Sequence, residues 1–227
     1  MSSFSGFPKD LFQFLKDLSK NNNRDWFNEN KGRYQKSVVF PVKDFIVAMG
    51  GELPEISRNF VADPRTNRGS MFRIYRDIRF SKDKRPYKDN VGCQFRHVAG
   101  KTAHAPGFYV HIQPGNVFVG GGIWKPPNPV LDKIRSAIVE HPDRWSKVIK
   151  GSKFFSAIEG DQLKRPPRGY DADYPFIEDL KRKSFFLKHN VDPSLITKPE
   201  FIDETLLAFR EAAPLMKFIT NAMGLSF

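Results

Sequence analysis

The sequence predicts an α+β fold, with N-terminal helices, a central antiparallel sheet containing a hairpin, and C-terminal helices, in a single domain spanning residues 1–227. Three observations carry this. Apolar residues recur at helical spacing over roughly the first fifty residues. The period falls to two between about residues 71 and 123. Helical spacing then returns from about residue 128 onward, so helices and strands are grouped and do not alternate as βαβ units. No repeat, low-complexity stretch or long linker divides the chain.

Leu11, Phe12, Phe14, Leu15 and Leu18 form the stripe of an amphipathic helix starting near Pro8. Asn21-Asn22-Asn23 makes a turn and supplies the N-cap of a second helix carrying Trp26, Phe27 and Tyr34. Pro41 breaks or kinks that pattern before a third helical piece, roughly residues 42–49, closed by Gly50-Gly51. Residues 71–80 read as a strand, followed by a charged loop through Tyr87 and a strand over about 92–98. Residues 107–113 and 117–123 read as a hairpin across Pro114-Gly115-Asn116. Asn128-Pro129 serve as N-cap and N1 of a helix with Val130, Leu131, Ile134 and Ile138 on one face, and a shorter helix around Trp145 follows. Residues 160–175 are an irregular connection rich in Gly and Pro. A short helix over about 176–183 and a strand over 185–188 precede terminal helices, one carrying Phe201, Leu206, Leu207 and Phe209, the next Leu215, Phe218 and Ile219.

Composition narrows the class. A 14% aromatic content, including 22 Phe, argues against disorder. No apolar run approaches the ~18 residues of a membrane span, and the first residues lack a basic n-region and an apolar h-region. A soluble cytoplasmic protein with no membrane partner is expected. Cys93 is the single cysteine, which excludes an intramolecular disulfide and argues against a cysteine zinc site; its strand-like neighbours suggest a small buried residue.

The 37 Lys+Arg against 25 Asp+Glu give a net charge of +12, unevenly spread. Residues 65–101 hold eleven Lys/Arg against Asp77, Asp83 and Asp89, a surplus of +8. Such a cluster either favours an anionic partner or is a dispersed solubilising surface. Read as a strand, residues 71–80 put Phe72, Ile74, Arg76, Ile78 and Phe80 on one face and Arg73, Tyr75, Asp77 and Arg79 among those on the other. Arg76 in an apolar row requires an anion, either a protein carboxylate or a ligand. Arg73 and Arg79 suit bidentate capture of carboxylate or phosphate. In the loop beyond, Ser81, Lys84, Tyr87 and Lys88 either donate to an oxyanion or form a solvated turn. Asp77 and Asp83, beside so many arginines, are expected as ionised salt-bridge partners.

The run Arg76-Asp77-x-Arg79-Phe80-Ser81-x-Asp83-Lys84-x-Pro86-Tyr87-Lys88 resembles the hallmark of domain-of-unknown-function family 2461. Asn22-Asn23-Arg24-x-Trp26-Phe27, Pro106-Gly107-Phe108-Tyr109, Gly121-Gly122-x-Trp124-x-Pro126 and Pro167-Arg168-Gly169-Tyr170 are similar to it as well, so the resemblance covers nearly the whole chain. It implies a single domain and carries no catalytic residues with it.

If the hairpin pairs Ile112 with Val117, then Tyr109, His111, Gly120 and Gly122 share one face. A lane of glycines there leaves room for a ligand or for another backbone, and close packing of a helix on the glycines is the competing expectation. A slip of one residue would exchange the faces. Neither a Walker loop nor a G-x-G-x-x-G fingerprint is present, and H-E-x-x-H, H-x-H and G-x-S-x-G are absent. His97, His104 and His111, spaced by seven, match no metal-ligand spacing, so neither metal nor cofactor is predicted.

Three functions remain in order. The first is a pocket for a small phosphorylated or carboxylated ligand, enzymatic or not, built by Arg73, Arg76, Arg79, Lys84, Tyr87 and Lys88 against Tyr109 and His111. The second is a non-enzymatic interaction domain whose arginine row is structural, in which neutralising Arg76 costs on the order of 3–5 kcal/mol. The third is a nucleic-acid binder stacking bases on Trp26, Tyr75 or Trp124.

Overall fold

The computed structural model describes residues 4–100, 106–151 and 158–227. Lys101 and His104, which enter the charge count and the histidine spacing, lie outside the described residues. In chain order come α1 (Asp10–Lys20), α2 (Arg24–Glu29), α3 (Lys31–Tyr34), a π-helical turn (Gln35–Val39), α4 (Phe40–Glu52), β1 (Phe60–Val61), β2 (Val91–His97), β3 (Gly107–Gln113) and β4 (Asn116–Ile123). Then follow α5 (Asn128–Glu140), α6 (Pro142–Lys150), β5 (Ile158–Glu159), α7 (Ile177–Leu180), β6 (Phe185–Asn190) and α8 (Phe201–Ala222). The six strands pair antiparallel in the order β1-β2-β3-β4-β6-β5, which is the predicted α+β class.

The predicted caps and breaks hold only where nothing in the tertiary structure overrides them. Asn23 caps α2, its side chain accepting from the Trp26 N–H at 3.0 Å. Pro41 does not end the helical run. It sits in the first turn of α4 behind a π turn, in which the Phe40 N–H donates to the Gln35 carbonyl five residues back. Gly50-Gly51 likewise fail to close α4, which continues to Glu52 because Val42, Phe45, Ile46 and Met49 bury one continuous stripe. That burial outweighs the ~1 kcal/mol each helical glycine costs. The terminal helices are one 22-residue helix with Pro214 inside it, held straight through by eleven buried residues from Phe201 to Thr220. Asn128 is the first helical residue of α5, not its cap, since Pro127 takes that position.

Residues 71–80 are not a strand. Only Met71 and Tyr75 form isolated bridges, to Cys93 and Tyr87. The alternation expected from the sequence is nevertheless present: Ile74 is buried and Phe72, Arg76 and Ile78 half-buried, while Arg73, Tyr75, Asp77 and Arg79 are exposed. Phe80 breaks it, with 95% of its surface in solvent. The segment starts along the edge of β2 opposite β3, where the Phe72 N–H donates to the Gly92 carbonyl and the Gln94 N–H to that of Ser70, and then pairs irregularly with residues 86–88 through the Arg76 and Lys88 N–H groups.

Helices cover one sheet face. Phe209 of α8 stacks on Phe108 with ring centroids 4.6 Å apart and lies edge-on to Phe95, and Phe45 of α4 meets Phe95 and Phe201. A β-carbon at Gly121 would come within 3.2 Å of Ala212 and Met216, so the helix seats on this glycine. The opposite face carries half-buried polar and aromatic side chains and is where the site is built. No helix among the described residues is long and apolar enough to cross a membrane.

Candidate functional site

The hairpin forms in the predicted register, Ile112 opposite Val117, His111 opposite Phe118 and Tyr109 opposite Gly120. Pro114-Gly115 make the turn, Gly115 supplying the positive φ of 80° that a type II turn requires there. Directly opposed residues share a face, so the strand registers generate rows across the sheet. One row runs Arg96, Gly107, Gly122, Phe186, Glu159 through β2, β3, β4, β6 and β5. The next runs Gln94, Tyr109, Gly120, Lys188, and the third Gly92, His111, Phe118, Asn190.

The paired glycines 107 and 122 leave a trough, above which lies a cavity of about 610 Å3. Phe72 from the segment beside β2, Tyr109, Phe118, Trp124 and Phe186 wall it, with Gln94, Lys125, Glu159 and Lys188 as its polar members. The glycine lane serves two ends. A β-carbon at Gly120 or Gly122 would fall 1.9 or 2.0 Å from the carbonyls of Leu187 and Phe185, so β6 demands bare backbone here. The same bareness opens the trough. The competing expectation of a helix on the lane is met only at Gly121, on the other face.

Cations lie against the aromatic walls, and of them Lys188 and Lys125 line the cavity. Lys188 Nζ lies 4.8 Å from the Phe118 centroid, while Lys88 Nζ and Arg96 Cζ lie 5.4 and 5.8 Å from that of Phe72. Arg96 donates to Gln94 Oε1 at 3.0 Å. Among the described residues, no carboxylate lies within 4.0 Å of Arg96, Lys188 or Lys88. Lys125, by contrast, is paired with Asp161 at 3.1 Å.

Tyr109 and His111 sit side by side on β3. The Tyr109 hydroxyl is 3.3 Å from His111 Nδ1, with Asn90 Nδ2 at 3.5 Å from the same nitrogen. His111 Nε2 lies 3.4 Å from Gln113 Oε1, and Gln113 Nε2 donates to Asp89 at 3.1 Å. Two donors at Nδ1 and a carbonyl oxygen at Nε2 fix one neutral tautomer, with the proton on Nε2. Burial, together with the Lys188 charge, holds the His111 pKa below its ordinary 6.5, and burial raises that of Tyr109. The Tyr109 hydroxyl, whose one proton goes to His111 Nδ1, therefore turns an acceptor oxygen to an incoming group, and with the neutral imidazole forms an arrangement able to pass a proton. Cys93 lies on the helix-covered face, its thiol pushed up to about 12 by burial, and is unreactive packing.

The cations grouped in the sequence do not meet. Arg76 pairs with Asp83 at 2.6 Å, the protein carboxylate that its apolar row required. Arg79 pairs with Asp77 at 2.7 Å on the surface, holding that carboxyl at about 2. Lys84 donates to the Ile78 carbonyl, and Lys88 donates to that of Arg73. Burial and the neighbouring Arg73 charge lower the pKa of Lys88. Arg73 itself is exposed and without a carboxylate partner among the described residues. Tyr87 is buried, stacked on Phe27 with centroids 4.1 Å apart and pinned at both backbone groups by Asn22. With Arg76, Arg24 and Tyr75 it borders a separate cavity of about 330 Å3. Of the eight residues proposed from the sequence, Tyr109 lines the large cavity, His111 stands behind it, and Lys88 touches one wall.

Sequence reasoning missed Gln94, Glu159, Phe186 and Lys188 as neighbours of Tyr109. Their signal was the fit of β6 beside β4, which no local pattern encodes, since β6 follows β4 by some sixty residues. Arg96 was in the basic cluster but lacked a partner strand to place it.

A family model described as "Conserved hypothetical protein (DUF2461)" matches residues 10–218, and the chain belongs to that family. No curated protein and no solved structure matches it.

Proposed function

We propose that this family member binds a small anionic ligand, phosphorylated or carboxylated, in the cavity on the open sheet face. The observation that carries this is Lys188, half-buried in the aromatic-walled cavity, together with half-buried Arg96 against its Phe72 wall, neither with a carboxylate partner among the described residues. Half-buried cations are held at a cost that an incoming anion offsets through charge-assisted hydrogen bonds. Tyr109, its hydroxyl proton engaged by His111, contributes its ring to the wall. Lys88, 5.4 Å from the Phe72 centroid, adds positive potential.

A thermal-shift screen at low salt tests it, with phosphate, pyrophosphate, sugar phosphates, dicarboxylates, nucleotides and short oligonucleotides. A ligand at 100 times its dissociation constant adds about 2.7 kcal/mol, which for a domain of this size raises the midpoint by roughly 5–10 °C. The expected result is a rise with small anions that disappears in Lys188→Ala and Arg96→Gln while both variants remain folded. A rise with no small anion sinks the proposal.

A second reading, a non-enzymatic interaction domain, rests on the exposed end of residues 71–80. Phe80 is almost fully exposed there with the Arg79 guanidinium 5.8 Å from its ring. No rise with any small anion or oligonucleotide moves the function to this reading, while a response confined to oligonucleotides moves it to nucleic-acid binding.

A further inference from the structure

The trough has a shape and a polarity that say more than "anion". Its floor is the opposed pair Gly107 and Gly122, bare of side chains, with Tyr109 beside Gly107 along β3 and Phe186 beside Gly122 across the sheet. Trp124, half-exposed at the rim, stands perpendicular to Phe186 with centroids 6.3 Å apart. A flat strip bounded by aromatic faces and edges suits a flat guest, which gains ring contacts on its faces as well as its edges. A lone phosphate or short dicarboxylate leaves most of the roughly 610 Å3 unfilled and touches none of these rings productively.

The ends of the trough differ in charge. Glu159 on β5 lines one end, while Lys188, in the next row on β6, carries its Nζ to 4.8 Å from the Phe118 centroid; Arg96 begins the first row on β2 but lies outside the lining. A carboxylate at one end repels an anion that is negative throughout and accepts from N–H or O–H donors. The guest that satisfies both ends is a flat ring with hydrogen-bond donors at one edge and an anionic group at the other.

We infer that the cavity takes a nucleotide: a stacked aromatic base carrying an amino group toward Glu159, with its phosphate toward the second-row Lys188. This rests on the anion-binding reading above and specifies its ligand class.

Trp124 fluorescence at low salt, titrated with AMP, ribose 5-phosphate and inorganic phosphate, tests it. AMP quenches the signal and binds about tenfold or more tighter than ribose 5-phosphate, the increment one stacked base contributes. Quenching is lost in Trp124→Phe, followed then by calorimetry. Exposed Trp124→Ala brings AMP close to the affinity of ribose 5-phosphate, without loss of the folded state. Equal affinity for AMP and ribose 5-phosphate, or binding of inorganic phosphate alone, overturns the nucleotide inference and leaves anion binding standing. Failure of all three, together with a thermal-shift screen that no other small anion answers, overturns both.

Discussion

The Tyr109 hydroxyl lies over the bare backbone of Gly92, where a β-carbon would come within 2.6 Å of it, and from there it reaches Nδ1 of His111 at 3.3 Å. Gly92 is opposite His111 in the β2–β3 pairing, so the sheet register sets tyrosine, histidine and glycine in one patch. A methyl at residue 92 must move the hydroxyl, and Phe72 as well, whose ring edge would be 3.0 Å away. Both are ends of rotatable side chains, so Gly92→Ala is expected to cost only about 1 kcal/mol. Its specific effect is on His111, which loses one of two donors to Nδ1. The 15N shifts of the imidazole report this directly: the wild type shows a protonated Nε2 and an acceptor Nδ1, and Gly92→Ala shows mixed tautomers. A single unchanged tautomer in the variant would sever the link between these residues.

His111 also ties stability to pH. Its pKa is depressed in the folded state chiefly by burial, which outweighs the Gln113 hydrogen bond; the Lys188 charge adds a lesser push down and Asp89 a lesser push up. The unfolded chain therefore binds more protons than the folded one below the ordinary value of 6.5, and stability rises with pH through that window. Present in full above 6.5, this contribution is lost as the pH falls through the folded pKa. Urea unfolding of wild type and His111→Gln between pH 4.5 and 8 isolates it, since the carboxylates are common to both chains. The wild type should lose stability more steeply than the variant on acidification from 6.5. Parallel curves would show that His111 titrates normally.

Arg76 and Asp83 form a brace between residues 71–80 and the loop that follows, reinforced by the Arg85 guanidinium on the same carboxylate at 2.8 Å. Arg76 is a quarter exposed, so its loss leaves no charge buried, and the large penalty expected for an arginine in a sealed apolar row does not arise. Arg76→Gln is expected to lower the thermal midpoint by only about 1–3 °C. Asp83→Asn removes both guanidinium contacts and should exceed it, and the double variant should cost less than the two singles added. Full additivity would mean that the two side chains do not interact in solution.

What was legible in the sequence follows from where the forces are local. Asn23, the Pro114-Gly115 turn and the inward row Phe72, Ile74, Arg76, Ile78 depend on spacing within a few residues, and each can be read there. The hairpin face holding Tyr109 and His111 was legible for the same reason. The ends of α4 and the continuity of α8 were not, because buried stripes overrode glycine and proline signals. The composition of the cavity was least legible of all. Glu159 and Lys188 reach Tyr109 through β5 and β6, which join the sheet beside β4 only after α5 and α6 have crossed it. Net charge pointed to cations, but their own aspartates and carbonyls engage most of the cluster, and the cations left at the cavity lie on strands.

The two sheet faces make separable predictions. Phe209 is fully buried, stacked on Phe108 and edge-on to Phe95, and anchors α8 one turn before Ala212 meets Gly121. Truncation to Ala removes an aromatic ring from a site the surrounding strands cannot collapse to fill, a loss of about 3–5 kcal/mol. Gly121→Leu attacks the same contact from the sheet side: its β-carbon alone would sit 2.9 Å from the Phe108 ring and 3.2 Å from Met216. Overpacking of this kind costs about 1–3 kcal/mol. Urea unfolding should show both losses as shifts of midpoint with the slope unchanged. Because residues 108 and 121 point away from the trough while 107, 109 and 122 face it, either variant that remains folded should keep its affinity for small anions. A loss of binding that tracks the loss of stability would mean that α8 and the cavity are coupled through the sheet, and that the helix face belongs to the site.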